Sequence, residues 1–376
     1  MQEMSVPPDV PSPAAIDHVF LTYEVTVDEE GIRYYGTPLV PLREMVQELW
    51  PLFREHGYEL RVQRELGEWI LIAEPVSLGI DGIPWTNVFL FIATVVSTLF
   101  AGAIWYHIDP FSPEYEWWEM IYAWPFAFGI IFVLGVHELG HYVMSRYHRV
   151  NASLPYFIPV PTLIGTMGAV IKMEGQIPSR KALFDIGVAG PIAGLIATIG
   201  VIVVGLHLPP VTAPETVVAD PDSIVVELGY PPLLEFLAWA VDQPLYYADP
   251  ATAVNPVVIA GWVGLFVTFL NLIPVGQLDG GHILRAIMGE RQASLAAFVP
   301  LALFGLAGYL YTVLGVSLMG VLVWGIWGLL ATFLMAVGPA HPIDDRRLGR
   351  RRIALGIVTF VLGILCFTPV PIQVHA

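Results

Sequence analysis

Cysteine is nearly absent: the 376 residues contain one, Cys366. A single thiol excludes a disulfide-stapled scaffold, a cysteine-rich zinc site and an iron–sulfur cluster. Charge is scarce too, with 13% Asp, Glu, Lys and Arg against 56% apolar side chains and a mean hydropathy of +0.66. That balance excludes a disordered chain and an ordinary cytosolic enzyme, and a net charge of −16 excludes a nucleic-acid binder. Residues 1–16 are polar and proline-rich with no basic stretch ahead of an apolar core, so no cleavable signal peptide is expected. Internal repeats and low-complexity tracts are also missing. What remains is a polytopic membrane protein with some soluble mass attached.

The little charge there is has been sorted along the chain. Residues 1–85 hold 15 acids and 5 bases, residues 106–120 hold 4 acids, and residues 208–255 hold 7 acids, the last two without a base. The other 12 basic residues fall in four short stretches: Arg146/Arg149, Lys172/Arg180/Lys181, Arg285/Arg291 and Arg346–Arg352. Membrane chains keep Lys and Arg in short cytoplasmic loops, which assigns the basic stretches inside and the acidic loops outside. The acidity of the soluble parts predicts solvation in high salt, with a cationic partner as the other reading.

Residues 1–17 are expected to be a disordered tail and 18–80 a small cytoplasmic α+β domain. His18–Val27 and Ile32–Gly36 read as strands around the turn Asp28-Glu29-Glu30-Gly31. Leu42, Met45, Val46, Leu49 and Phe53 recur at helical spacing until Gly57, and strands Tyr58–Arg64 and Trp69–Glu74 flank Leu66-Gly67-Glu68. Beyond Pro84, within a transmembrane domain over 85–372, seven apolar runs are long enough to cross a bilayer. They lie near 87–106, 122–146, 182–207, 256–274, 294–315, 317–338 and 353–370. Residues 150–181 are too apolar for a cytoplasmic loop yet are broken by Pro155, Pro159, Pro161, Gly165 and Gly168. Irregular backbone at membrane depth needs protein or a wet cavity around it. The segment therefore reads as re-entrant, with Met167–Met173 a β-hairpin arm. The expected fold class is mainly α and polytopic, with about seven spans, a re-entrant β-hairpin and the N-terminal α+β domain.

The second span contains His137-Glu138-Leu139-Gly140-His141. Residues i and i+4 share one helix face, so both imidazoles can bind one metal while Glu138 works on a bound water. Ionisable groups inside a span are costly and are functional unless shown otherwise. The bland alternative is a polar cluster bonding neighbouring helices. A catalytic zinc site takes three protein ligands and leaves a position for water. His148 lies roughly 10 Å further along the axis, too far to share the ion. A better third ligand is Asp279, in Asn271-Leu-Ile-Pro274-Val-Gly-Gln-Leu-Asp279-Gly280-Gly281, where Pro274 ends or kinks the fourth span and the glycines allow a close turn.

HELGH paired with NxxPxxxLDG resembles the signature of the site-2 protease family, intramembrane zinc metalloproteases. Ala189-Gly190-Pro191 fits the same pattern, and Phe157–Gly194 is most similar to the branch containing plant chloroplast homologues, which also carries a small α+β domain ahead of its spans. The resemblance implies one zinc ion held by His137, His141 and Asp279, with Glu138 as general base and Asn271 steadying the substrate carbonyl. Gly194 departs from many relatives, which place a polar residue after AGPxx; the expected effect is on packing rather than metal binding.

Beside each role stands a plainer one. Asn271 would equally serve as a helix-terminus cap, and Asp185 and Glu174 as a cap or a salt link. His282 reads as a support rather than a ligand, and Trp117/Trp118 as an interfacial anchor. Asp279, Lys172 and Arg180 suggest a wet cavity open to the cytoplasm, and the arm 167–173 an edge to which an unwound substrate could add. The function expected is cleavage of a membrane-protein substrate in or near its transmembrane segment (regulated intramembrane proteolysis). The partners are that substrate and the bilayer, with no nucleic acid. The setting expected is the plasma membrane of a prokaryote, with the N-terminal domain cytoplasmic. A metal transporter has no use for Glu138 between its ligands, a silent scaffold would tolerate losing one of the set, and a prenyl-protein-type protease would take a glutamate as third ligand.

Overall fold

The computed structural model describes residues 10–27, 31–65, 67–75, 82–108, 111, 116–214, 225–249 and 251–375. Residues 1–9 of the expected tail, the turn residues 28–30, Leu66 and part of the acidic loop at 215–224 lie outside them. The soluble part is a four-stranded antiparallel sheet under one long helix. The strands are β1 (Phe20–Val27), β2 (Ile32–Pro38), β3 (Tyr58–Glu65) and β4 (Glu68–Pro75), in the order β1-β2-β4-β3. Helix α2 (Leu42–Glu55) lays Met45, Leu49 and Phe53 on the sheet, and Gly57 at φ +86 ends it in a conformation that favours glycine. Residues 10–17, the described part of the expected tail, pack onto the domain. A short helix α1 (Pro13–Ile16) opens on its proline, and Val10 and Ile16 are buried in the domain core. The Tyr34 hydroxyl donates to the Pro11 carbonyl at 2.8 Å, and burial pushes that phenol well above its usual range.

Helices occupy all seven places marked by apolar runs. Among the described residues, four are long and apolar enough to cross a membrane: α3 (Trp85–Trp105), the Trp117–Tyr147 stretch that contains α4 (Trp124–Tyr147), α5 (Arg180–His207) and Leu318–Val337. The expected helix at 294–315 is instead two helices, Asp279–Ala296 and Phe298–Thr312, bent by 52° and counting as a fifth span when taken together. Pro300, near the start of the second, lacks the amide that would continue the ladder there. Pro256–Asn271 and Arg350–Leu365 have 16 residues each. That is about 24 Å of helix against a hydrocarbon core of about 30 Å. Length and composition thus support four or five spans, not seven.

Segment 150–181 forms two short antiparallel pairs. Strand β6 (Tyr156–Pro159) pairs with β7 (Thr166–Val170), while β5 (Asn151–Ala152) pairs with β8 (Met173–Glu174). The arm expected at Met167–Met173 is therefore divided between two partners. The β6–β7 hairpin lies along α3. Asn87 Nδ2 donates to the Leu154 and Pro155 carbonyls at 3.0 Å, Ser97 Oγ to the Gly165 carbonyl at 2.6 Å, and Trp105 Nε1 to the Leu163 carbonyl at 2.8 Å. Asn87 and Trp105 are about 27 Å apart along the helix axis. The hairpin's exposed backbone is thus satisfied by α3 over nearly the whole length of that helix.

The two ends of the bundle differ as the charges require. At one end Tyr106, Asn255 and Pro209 meet, Asn255 accepting from the Tyr106 hydroxyl at 3.2 Å and donating to the Pro209 carbonyl at 2.9 Å. The soluble domain packs at the other, basic end. There Gln47 Nε2 donates to the Ile343 carbonyl at 2.6 Å and the Gln176 amide donates to Glu59 at 3.0 Å.

Gly165 tests the hairpin's attachment. It has φ +83, and a Cβ there would lie 2.5 Å from the Ser97 carbonyl. Gly165→Ala is expected to cost about 1–3 kcal/mol and to raise amide exchange across 156–170 in the detergent-solubilised protein. Unchanged exchange there would mean that the hairpin does not depend on this close approach.

Candidate metal centre

Helices α4 and α5 approach closely because small residues face each other. A Cβ added at Gly140 would lie 2.6 Å from the Ala189 carbonyl. On α5, one turn apart, Gly190 and Gly194 form a slot for the two imidazoles of α4. A Cβ at Gly190 would meet His141 Nε2 at 2.0 Å, and one at Gly194 would meet His137 Nδ1 at 2.9 Å. No larger residue leaves the rings where they are. Gly194 therefore does pack, as expected, but what it packs against is His137 itself.

The rings are also oriented. His141 Nδ1 lies 2.8 Å from the Ile186 carbonyl, which can only accept, so the proton sits on Nδ1 and Nε2 presents a lone pair. His137 Nε2 lies 3.1 Å from it. The third group arrives from a sharp turn after Pro256–Asn271. Pro274 breaks the ladder, Gly276 adopts φ +54, and Cβ atoms at Gly280 and Gly281 would fall 2.2 and 2.3 Å from the Leu272 and Gly276 carbonyls. Only glycines allow that fold-back. It delivers Asp279 as the first residue of helix Asp279–Met288, where the helix dipole favours a carboxylate.

Asp279 Oδ2 is 3.2 Å from His137 Nε2, and its Oδ1 is 3.2 Å from His141 Nε2. The two imidazole nitrogens are thus 3.1 Å apart, and each has its own Asp279 oxygen at 3.2 Å. Ligands at the usual bond lengths around tetrahedral zinc are about 3.3–3.4 Å from one another. Two imidazole nitrogens facing each other beside a carboxylate, in buried surroundings, are the donor set of a cation. His137, His141 and Asp279 fit a single zinc ion, and the two remaining groups of the motifs lie beside them. Glu138 is 6% exposed and lies beside Ile171 in the same cleft. Asn271 Nδ2 is 3.3 Å from His137 Nε2. A cleft of about 190 Å³ opens on this centre, lined by Glu138, His141, Asn271, Asp279 and the strand end Ala169–Ile171.

Other expected residues stand apart. His148 Nε2 pairs with Asp185 Oδ2 at 3.0 Å, and Arg352 binds both Asp185 oxygens at 2.8 Å, so Asp185 is a salt link tying α4, α5 and Arg350–Leu365 together. Arg180 is buried against Asp345 at 2.9 Å and does not open a wet cavity, whereas Lys172 is exposed. The side chain of Glu174 lies outside the described part. His282 is buried, and its Nδ1 accepts the Ala340 amide at 3.4 Å, a supporting role. Trp117 and Trp118 are exposed just ahead of α4, at the end away from the centre. Sequence reasoning missed the slot at Gly190/Gly194 and the Ile186 carbonyl. The AGPxxG run carried the signal for the first; backbone groups carry none.

Two helix-borne imidazoles, an adjacent glutamate and a distant aspartate, set among apolar helices, define a membrane-embedded metallopeptidase centre. Residues 125–306 match the family model "Peptidase family M50", and this region is a domain of that site-2 protease type of zinc metalloprotease. The chain is 32% identical over 302 residues to the probable zinc metalloprotease EGY1, chloroplastic, of Arabidopsis thaliana, covering 76% of this chain and 51% of the relative. It is 28% identical over 254 residues to EGY2 of the same plant (66% and 42%) and 29% over 266 residues to EGY3 (65% and 42%). The chain thus spans about half the length of the curated relatives it matches or less. No solved structure matches. These relatives are chloroplast proteins and lend no support to a prokaryotic plasma membrane.

The slot predicts a clean contrast on one helix. Gly190→Ala is expected to lower bound zinc from about one per chain to a small fraction. Gly200→Ala, whose Cβ would meet open space, should leave it unchanged. Metal content by mass spectrometry after gel filtration decides, and full loading of Gly190→Ala would refute the slot.

Proposed function

We propose that this protein is an intramembrane zinc protease that hydrolyses a peptide bond in or near a transmembrane segment of a membrane-protein substrate, as in regulated intramembrane proteolysis. The observation that carries the reading is the triangle of His137 Nε2, His141 Nε2 and Asp279, with Glu138 in the same cleft. A zinc ion there would supply a Lewis acid for the scissile carbonyl and lower the pKa of a bound water. Glu138 takes the water's proton and passes it to the departing amine. Asn271, beside His137, donates to the oxygen on which negative charge develops.

The substrate has to be extended to be cut. Among the described residues β7 pairs on one side only, with β6, and its end lines the cleft. An unwound substrate segment adding along Thr166–Val170 would bring its carbonyls past the metal. The attachment of the hairpin along α3 supports a re-entrant position for it at membrane depth. The soluble domain (18–80) lies on the basic, cytoplasmic side of the membrane domain (85–372), by the distribution of Lys and Arg. A metal transporter is not favoured, because Glu138 shares the cleft without being needed to hold the ion.

Glu138→Gln is expected to retain zinc while cleavage of a fluorescent casein reporter by the purified protein falls by about 10³-fold or more. Asn271→Ala, with zinc retained, should lose about 3 kcal/mol of transition-state stabilisation, read mainly in kcat. Wild-type rates in loaded Glu138→Gln would remove the base from this scheme.

A further inference from the structure

Among the described residues the soluble domain does not line the cleft, yet it holds the strap that does. We propose that Glu59, on β3, is a positioning residue for the strand end Ala169–Ile171 that lines the cleft beside Glu138, acting through residues 171–176. The proposal rests on the protease reading of that cleft, but its test does not require turnover.

At the membrane end of the strap, Ile171 lines the cleft together with Glu138, His141 and Asp279. Lys172 is then fixed twice to the loop after α4: its carbonyl accepts the Ser153 amide and its amide donates to Ser153 Oγ, both at 2.9 Å. Met173 and Glu174 pair with Ala152 and Asn151. The chain then turns at Gly175, φ +87, and the Gln176 amide donates to Glu59 Oε1 at 3.0 Å. A Cβ at Gly175 would lie 3.0 Å from the same oxygen, so the carboxylate fills the hollow of the turn. Beyond it, Ile177 and Pro178 accept from Ile343 and Asp344, and Arg180 begins α5, which carries the glycine slot.

Glu59 is itself held in place. Its side chain is 13% exposed, ion-paired with Arg54, and accepts from Trp50 Nε1 at 3.4 Å, both on α2. A buried carboxylate with three donors has little freedom, and an amide bound to it is fixed to the same degree. The turn at 175–176 sets where the strap re-enters the membrane domain. The strap in turn sets where Ile171 lies in the cleft beside Glu138. By this geometry the soluble domain is part of the catalytic apparatus, not a passenger ahead of it.

The experiment uses the full chain, zinc-loaded, in lipid nanodiscs, comparing wild type with Glu59→Ala, Glu59→Gln and Arg54→Met by hydrogen exchange and zinc content. Glu59→Gln and Arg54→Met keep an acceptor for the Gln176 amide and should leave exchange at 169–173 within about twofold of wild type. Glu59→Ala should raise it about tenfold or more, with zinc unchanged, and in the casein assay lower kcat more than it raises KM. Exchange at 169–173 that stays at the wild-type level in Glu59→Ala overturns the proposal, as does an equal rise in Glu59→Gln. If Glu59→Ala unfolds residues 18–75, Gly175→Ala, which leaves that domain's sequence intact, must raise the same exchange, and its failure to do so overturns the proposal too. A wild type that cleaves nothing bears on the protease reading alone.

Discussion

The structure depends on the seating of two imidazoles of α4 against two glycines of α5. Polar rings among apolar helices have no water to satisfy them, so each nitrogen needs a partner supplied by the protein. His141 spends one nitrogen on the Ile186 carbonyl, whose second lone pair remains available beyond the helix ladder. Its other nitrogen and that of His137 then face Asp279. Close helix approach is what makes this possible. In lipid, small residues bring helices together by packing rather than by hydrophobic drive, and here the same small residues make room for the ligands. Helix association and site assembly are one event in this fold.

The third ligand poses the opposite problem, since Asp279 has to reach the rings from irregular backbone. The NxxPxxxLDG stretch solves it with a broken ladder at Pro274 and backbone contacts at Gly276, Gly280 and Gly281 that admit no side chain. The tight turn leaves Asp279 little slack. Its helix dipole and two facing nitrogens keep the carboxylate in register, and Asn271, the last residue of the preceding helix, lands beside His137 by the same turn.

Much of this was legible in the sequence because side-chain identity carried it. The i, i+4 spacing of His137 and His141 names a shared face, and the spacing from Asn271 to Asp279 names the turn. Alternation and helical periodicity located the strands and helix of residues 18–75. What was not legible resides in backbone and in length. Nothing in the residue type at 186 announces that its carbonyl holds His141. Apolar runs at 256–274 and 353–370 look like spans, but a helix of 16 residues stops short of the hydrocarbon thickness, and Pro300 turns a third run into a bend. The tail at 10–17 misled for a related reason. Its polar, proline-rich composition conceals Val10 and Ile16, which fill the soluble core.

The hairpin ends at the cleft that Glu138 lines from α4, which bears on the proposed catalysis. An enzyme that cuts extended backbone must present an edge strand, and an edge strand at membrane depth carries unpaired amides that cost several kcal/mol each in hydrocarbon. Here Asn87, Ser97 and Trp105 of α3 donate to carbonyls along the hairpin, while β7 ends at the cleft that Glu138 also lines. The segment proposed to guide substrate thus ends beside the proposed base. The strap that follows it ends on Glu59, so one short stretch of chain joins the cleft to the soluble domain.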